Sequence, residues 1–343
     1  MIKETSPTEA EWRHLYALMD RVKEVAPWEW VKETDIFGVQ NPETGELGFV
    51  SVMGSLGEHL AVAVYLGEEG LAGFWRMQYT GPHMTPDLLL NTPQLQASFE
   101  DRNTLHPKDR NVIKQLGLKY RGRNAWPQFQ SYAPGMAPWY LTAVEARFLA
   151  HALEQMLEVA ARLEDDPTLL DADEEEYLVR IPTKQGKRWV WRDEKRPIAQ
   201  PTSRPISIYF DKRAMEFLRN LPPTMGRIDV DFFWTPAAVR TEQERPYFPY
   251  VLLIIEPSSG MIIGSETMIA ETSIDDMWGT MPMKVGLTLA RQRLRPGFIR
   301  TTSEEVAAFL RPLADELNIQ IQLVDELPDL ENAKQMLISF LMR

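Results

Sequence analysis

The chain has 343 residues, no cysteine and a formal net charge of −12. These values exclude disulfides and thiolate metal sites, and they leave the molecule as a whole no positive surface for nonspecific nucleic-acid binding. Hydrophobic residues at 44% and charged residues at 25% are ordinary for a globular protein, and the length suits two or three domains.

The first predicted helix spans 7–25, with Ser6 as N-cap and Pro7 in its first turn. Trp12, Leu15, Leu18, Met19 and Val22 share one face of it, and Pro27 ends it. Strands at 35–40 and 46–53 follow, joined by the turn NPETG (41–45), which predicts a hairpin. A strand at 60–66, a helix near 68–78, a strand at 95–101 and a short helix at 106–116 come next. The strongest helix is 141–164, whose apolar residues keep a 3.6 period behind a Thr142/Glu145 capping box.

EDDPTLLDADEEE (164–176) holds eight acids in thirteen residues and reads as a solvated connection. The charge then reverses. Arg180, Lys184, Lys187, Arg188, Arg192, Lys195, Arg196 and Arg204 surround Trp189 and Trp191, with TKQG (183–186) marking a small hairpin. The remainder predicts strands at 228–234, 249–256 and 260–268, a helix at 275–292 begun by Thr272 or Ser273, a strand at 298–302, a helix at 303–317, a strand at 319–324 and a helix at 329–341. This order describes an α+β protein with a mixed sheet in its C-terminal part. The domain division is 1–163, an N-terminal α+β domain; 164–176, an acidic linker; 177–224, a small β-rich connecting segment; and 225–343, a C-terminal domain.

Motifs for chemistry are sparse. The histidines His14, His59, His83, His106 and His151 lack zinc spacing, so no metal site is expected from them. GEH (57–59) sets an acid beside a histidine, the pairing that acid–base chemistry uses, although a surface turn explains it as well. Trp28 and Trp30 of PWEW offer an aromatic platform or cover a sheet edge. Trp189 and Trp191, set among the cations of 180–204, resemble a single-strand binder's mix of positive charge and stacking rings, or form the core of a hairpin, since they alternate onto one strand face. Arg291, Arg293, Arg295 and Arg300 form a basic run that reads either as a capped helix end or as a phosphate-contacting patch.

Two stretches carry a resemblance. PWEWVKETDIFGVQNPETGELGFVSVMGSLGEHLAVAVYLGEEGL (27–71) resembles an uncharacterised bacterial domain family over about residues 10–165. VLLIIEPSSGMIIG (251–264) and FIRTTSEEVAAFLRPLADELNIQIQLVDELPDL (298–330) resemble a second uncharacterised family that often follows the first. Neither resemblance implies an activity. The order three strands, helix, strand, helix, strand, helix is also similar to that of the ribonuclease H and integrase superfold. That likeness implies metal-bridging carboxylates on the first strand, on the fourth strand and near the last helix. Asp229 or Asp231, or Glu256 if the register begins one strand later, would serve on the first strand, and Glu331 or Asp329 near the last helix. The fourth strand offers Thr301 and Thr302 instead of an acid.

The expectation is a noncatalytic binding or regulatory protein with a degenerate ribonuclease H-like domain and no cofactor, its N-terminal domain recognising a protein or small ligand. The alternative is a Mg²⁺-dependent hydrolase of nucleic acid or a phosphate ester, using Asp229, Asp231, Glu256 and Glu331. Weak nucleic-acid binding through the arginines is compatible with either. No apolar run reaches membrane-spanning length, the N-terminus has no signal-peptide pattern, and the absence of cysteine fits a reducing, cytoplasmic setting.

Overall fold

The computed structural model describes residues 5–57, 59–81, 86–171, 176–186, 188–198, 206–239, 245–271 and 273–341. The chain divides into two units, Met1–Ala133 with Pro138–Thr202, and Pro134–Ala137 with Ser203–Arg343.

The first unit opens with helix α1 (Glu9–Val25). Thr8, not Ser6, is its N-cap: the Thr8 hydroxyl accepts from the Glu11 amide, and the Glu11 carboxylate accepts from the Thr8 amide. A threonine followed three residues later by a glutamate satisfies two orphan amides, which Ser6 cannot do. Ala26 closes the helix in the left-handed region at φ 51°, and Pro27 starts a 3-10 turn.

β1 (Phe37–Gln40), β2 (Leu47–Met53) and β3 (Ala61–Leu66) form an antiparallel meander, followed by α2 (Gly67–Thr80), α3 (Pro86–Leu90) and β4 (Gln94–Glu100). Then come α4 (Pro107–Gln115), β5 (Trp126–Tyr132) and α5 (Ala143–Asp165), the last with its expected capping box. β6 (Glu176–Gln185) and β7 (Arg188–Pro197) complete a seven-stranded sheet in the order β5-β4-β3-β2-β1-β6-β7. Every pairing is antiparallel except β1 with β6.

This arrangement corrects the sequence-based boundary. Residues 176–197 are two strands of the first sheet, not a connecting segment, because β6 hydrogen-bonds in parallel to β1. The acidic stretch is not a free linker either. Asp165 and Asp166 face solvent, but Leu169 and Leu170 pack against the first core. Of that stretch, 172–175 fall outside the described residues, as do Lys187 and Arg204.

Alternation along the strands sends Val50, Val52, Val62, Val64, Leu95 and Ala97 to a face covered by α1 and α5. Phe49, Ala63 and Tyr65 face the other way, with Leu71, Phe74 and Met77 of α2.

The second unit comprises α6 (Lys212–Asn220), β8 (Arg227–Trp234), β9 (Tyr250–Glu256), β10 (Met261–Met268), α7 (Ile274–Arg291), β11 (Phe298–Thr301), α8 (Glu304–Leu317), β12 (Gln320–Leu323) and α9 (Pro328–Leu341). Ser273 caps α7; Thr272 lies outside the described residues. The sheet order is β10-β9-β8-β11-β12. β8, β11 and β12 run parallel, while β9 and β10 are antiparallel additions. The parallel pairing of β11 with β12 across α8 agrees with the strand-helix-strand pattern read at 298–324. One face, carrying Ile228, Val230, Leu252, Ile254 and Ile299, is covered by α6, α7 and α8. The opposite face, with Phe233, Val251, Leu253 and Ile255, meets Leu327 and Leu330 at the start of α9.

Candidate functional site

Asp229 and Asp231 are two residues apart on β8, so both project from the face that α9 covers. Their side chains are only 2% and 10% exposed. A buried carboxylate needs a partner, and each has one. Parallel pairing sets Arg300 of β11 directly beside Asp229. The Arg300 guanidinium donates from Nε to Asp229 Oδ1 at 2.7 Å and from Nη2 to Oδ2 at 2.8 Å, a two-pronged pair. From α9, Lys334 Nζ donates to Asp231 Oδ2 at 3.0 Å and sits 4.5 Å from the centre of the Phe233 ring. Asp231 Oδ1 accepts from the Phe232 amide at 2.8 Å. All four carboxylate oxygens are therefore engaged, and two cations lie against two acids.

The other sequence-predicted acids lie elsewhere. Glu256, at the end of β9, closes the PSSG turn by accepting from the Ser258 and Ser259 hydroxyls and the Ser259 amide. The Ser258 and Ser259 hydroxyls hold its pKa below the usual glutamate value. Glu331 is exposed on α9 and accepts from Gln335, and Asp329 is exposed at the start of that helix. Among the described residues no three histidine, aspartate or glutamate side chains gather as a metal site. The fourth-strand residue that faces the first-strand acids is Arg300, not a threonine. Thr301 is fully buried and accepts from the Ser303 amide; Thr302 is exposed.

The basic run disperses into separate tasks. Arg295 donates to the carbonyls of Leu317, Arg219 and Leu221, closing the ends of α8 and α6. Arg300 is committed to Asp229. Arg291 is exposed, with Glu266 at 3.5 Å, and Arg293 is exposed at a left-handed φ of 51°.

The tryptophans are largely structural in placement. Trp28 packs edge-on to Phe99, and Trp30 Nε1 donates to the Ala160 carbonyl at 2.9 Å. Trp191 packs against the first core beside His151; Trp189, on the same strand face, lies under Lys184 at 5.6 Å. Among the histidines, His14 and His151 both contact Glu154, and His106 caps α4. His83 and the Glu58 of GEH lie outside the described residues. The acid that does approach His59 is Glu100, 3.9 Å from Nδ1, a partner no sequence spacing indicated.

Sequence reading also missed Lys334. Its only local signal is a lone cation on the otherwise apolar side of a terminal helix.

Residues 12–180 match the family model of a domain of unknown function, DUF7309, and residues 214–338 match that of a second, DUF6930. The first match ends within β6, and the second runs from α6 into α9. No curated protein matches the chain. The chain thus carries two domains of unknown function in tandem, a DUF7309 domain followed by a DUF6930 domain.

Proposed function

We propose that the protein is a noncatalytic binding or regulatory protein whose C-terminal domain keeps a ribonuclease H-like order of strands without its metal chemistry. The observation that carries this reading is the Asp229–Arg300 pair. In an active enzyme of that order, the carboxylate at the middle of the sheet would bridge divalent cations. Here a guanidinium occupies both oxygens of that carboxylate, and an ammonium occupies its neighbour. Binding Mg²⁺ would require moving both cations, and Mg²⁺ sheds its own waters reluctantly. The four side chains do not suit that ion. A cytoplasmic setting is part of this proposal, and the lack of cysteine is compatible with it. No helix among the described residues is long and apolar enough to cross a membrane.

The test is incubation with single- and double-stranded DNA and RNA in Mg²⁺ or Mn²⁺. No cleavage is expected. Any association through Arg291 and Arg293 should fall steeply with added salt. Metal-dependent turnover that disappears in Asp231→Asn would overturn the reading and establish the hydrolase instead.

A further inference from the structure

The connection between β4 and β5 gathers positive charge in a chain whose net charge is −12. Pairing of the two strands ends at Glu100 and Trp126, so residues 101–125 form one excursion from the end of that pair. It carries seven lysines and arginines against two aspartates. Its neck is closed by the Asn124 amide, which donates to Asp101 Oδ1 at 2.9 Å, and by the Ala125 amide, which donates to the Glu100 carbonyl at 3.2 Å. α4 lies within it, and Leu105, Ile113 and Leu116 sink into the first core. A segment that buries its apolar side turns its charges outward. Arg102, Lys108, Lys114, Lys119, Arg121 and Arg123 are all exposed.

None of the six is ion-paired among the described residues. The two aspartates of the excursion are engaged elsewhere, Asp101 by the Asn124 amide and Asp109 by Gln128 Nε2 at 3.4 Å. The β6–β7 hairpin, the other basic stretch of this unit, differs: Arg180, Arg192 and Arg196 each meet a carboxylate at 2.7 Å or closer. Like charges gathered on one short excursion repel, a cost that an anionic partner removes. Aromatic rings stand among them. The Arg102 guanidinium lies 5.8 Å from the centre of the Trp126 ring, and Lys108 Nζ lies 5.4 Å and 4.8 Å from those of Trp139 and Tyr140. The three rings are half-buried. No large hydrophobic side chain of 101–126 is exposed, so nothing there would enter a lipid surface.

We propose that the β4–β5 connection is a docking surface for single-stranded nucleic acid, with its exposed cations on the phosphates and the Trp126, Trp139 and Tyr140 rings against the bases. Cations interleaved with rings suit a strand whose bases are bare. A duplex stacks its bases inside and would use the charges alone. This inference rests on the binding role proposed above and names its partner. It is judged on affinity and the absence of turnover is judged separately, so either can fail alone.

Fluorescence anisotropy of the full chain with labelled oligo-dT of about 20 nucleotides tests it. Oligo-dT should bind, and its affinity should fall with added salt on a log–log slope of at most about 4, from roughly 0.7 per phosphate and six cations. A mixed-sequence duplex of equal length, and inorganic polyphosphate, which has the charge without the bases, should bind about tenfold more weakly. Lys119→Gln with Arg121→Gln and Arg123→Gln removes three exposed cations that have no acid partner to lose. It should weaken oligo-dT binding about tenfold and lower the salt slope by about 2. Should that variant not fold, Lys114→Gln on the exposed side of α4 should weaken binding several-fold. Arg291→Gln with Arg293→Gln should leave binding unchanged. Absence of binding at low salt, duplex or polyphosphate bound as tightly as oligo-dT, unchanged affinity in the variant measured, or a loss caused instead by Arg291→Gln with Arg293→Gln would overturn the proposal.

Discussion

Each unit buries charge, but with opposite polarity. In the first, the buried partner is a cation. Arg180 on β6 is 5% exposed and reaches Gln155 and Glu158 on α5 and Asp193 on β7, whose acids are 49% and 36% exposed. In the second, the buried partners are the acids, and Arg300 and Lys334 are the more exposed at 21% and 26%. A guanidinium cannot give up its proton, so Arg180 requires standing partners and has three. A carboxylate in the interior can be neutralised by protonation, yet at neutral pH it relies on one cation. Redundancy on one side and dependence on the other should therefore govern how each cluster responds to change.

The largest effect is expected where dependence is complete. Arg300→Met leaves the Asp229 carboxylate buried without its partner, and the second unit should lose about 3–5 kcal/mol of stability, read by urea denaturation. Adding Asp229→Leu to that variant should restore most of the loss, because an apolar pair of similar size is often neutral or better. A double variant as unstable as the single would show that the pair does more than neutralise charge. Lys334→Met should cost less, about 1–2 kcal/mol, since Asp231 keeps the Phe232 amide. In the first unit, Glu158→Gln should cost under about 1 kcal/mol, because Arg180 retains Asp193 and Gln155. A loss matching that of Arg300→Met would erase the contrast.

The smallest effect is a pH dependence. Arg162, against some opposition from burial and with help from Arg180, holds the Asp193 carboxyl below the usual aspartate range. A carboxyl lowered in the folded state contributes stability that is present above its ordinary value, about 3.9. That stability is lost as pH falls through the lower folded value. Urea midpoints for the first unit should therefore drop more steeply in the parent than in Asp193→Asn as pH is lowered from about 5. Parallel curves would remove Asp193 from the account.

Local signals in the sequence located most elements, and non-local ones located few. The Thr142–Glu145 box and the NPETG and PSSG turns fix their helix and hairpins within a few residues of chain. The strand Trp126–Tyr132 escaped because glutamine, serine and tyrosine fill most of it, its large apolar residues Trp126 and Phe129 lie three apart rather than two, and it carries Pro127, as an edge strand can. Helix Lys212–Asn220 escaped because it is only nine residues long and four of them are charged, although Asp211 marks its cap. The domain boundary was misread since β6 pairs with β1 across the whole intervening domain, and no spacing announces such a partner. The site followed the same rule. Asp229, Asp231 and Arg300 were all singled out, but as acids for one purpose and cations for another; only the β8–β11 register reveals that they neutralise each other. The exposed cations between Arg102 and Arg123 belong to no motif, and that no acid among the described residues pairs with them is visible only once their neighbours are in place.

The parallel junction of β1 with β6 also has a cost in time. During synthesis, Phe37–Gln40 emerges with β2 available on one side and nothing on the other until residues 176–185 are made. At ~5–20 residues per second, that side of the strand waits on the order of ten seconds with its amides and carbonyls unpaired. An open strand edge is a template for the wrong partner. A nascent chain stalled, or a fragment cut, after α5 should accordingly self-associate through β1, and supplying the β6–β7 hairpin in trans should suppress it.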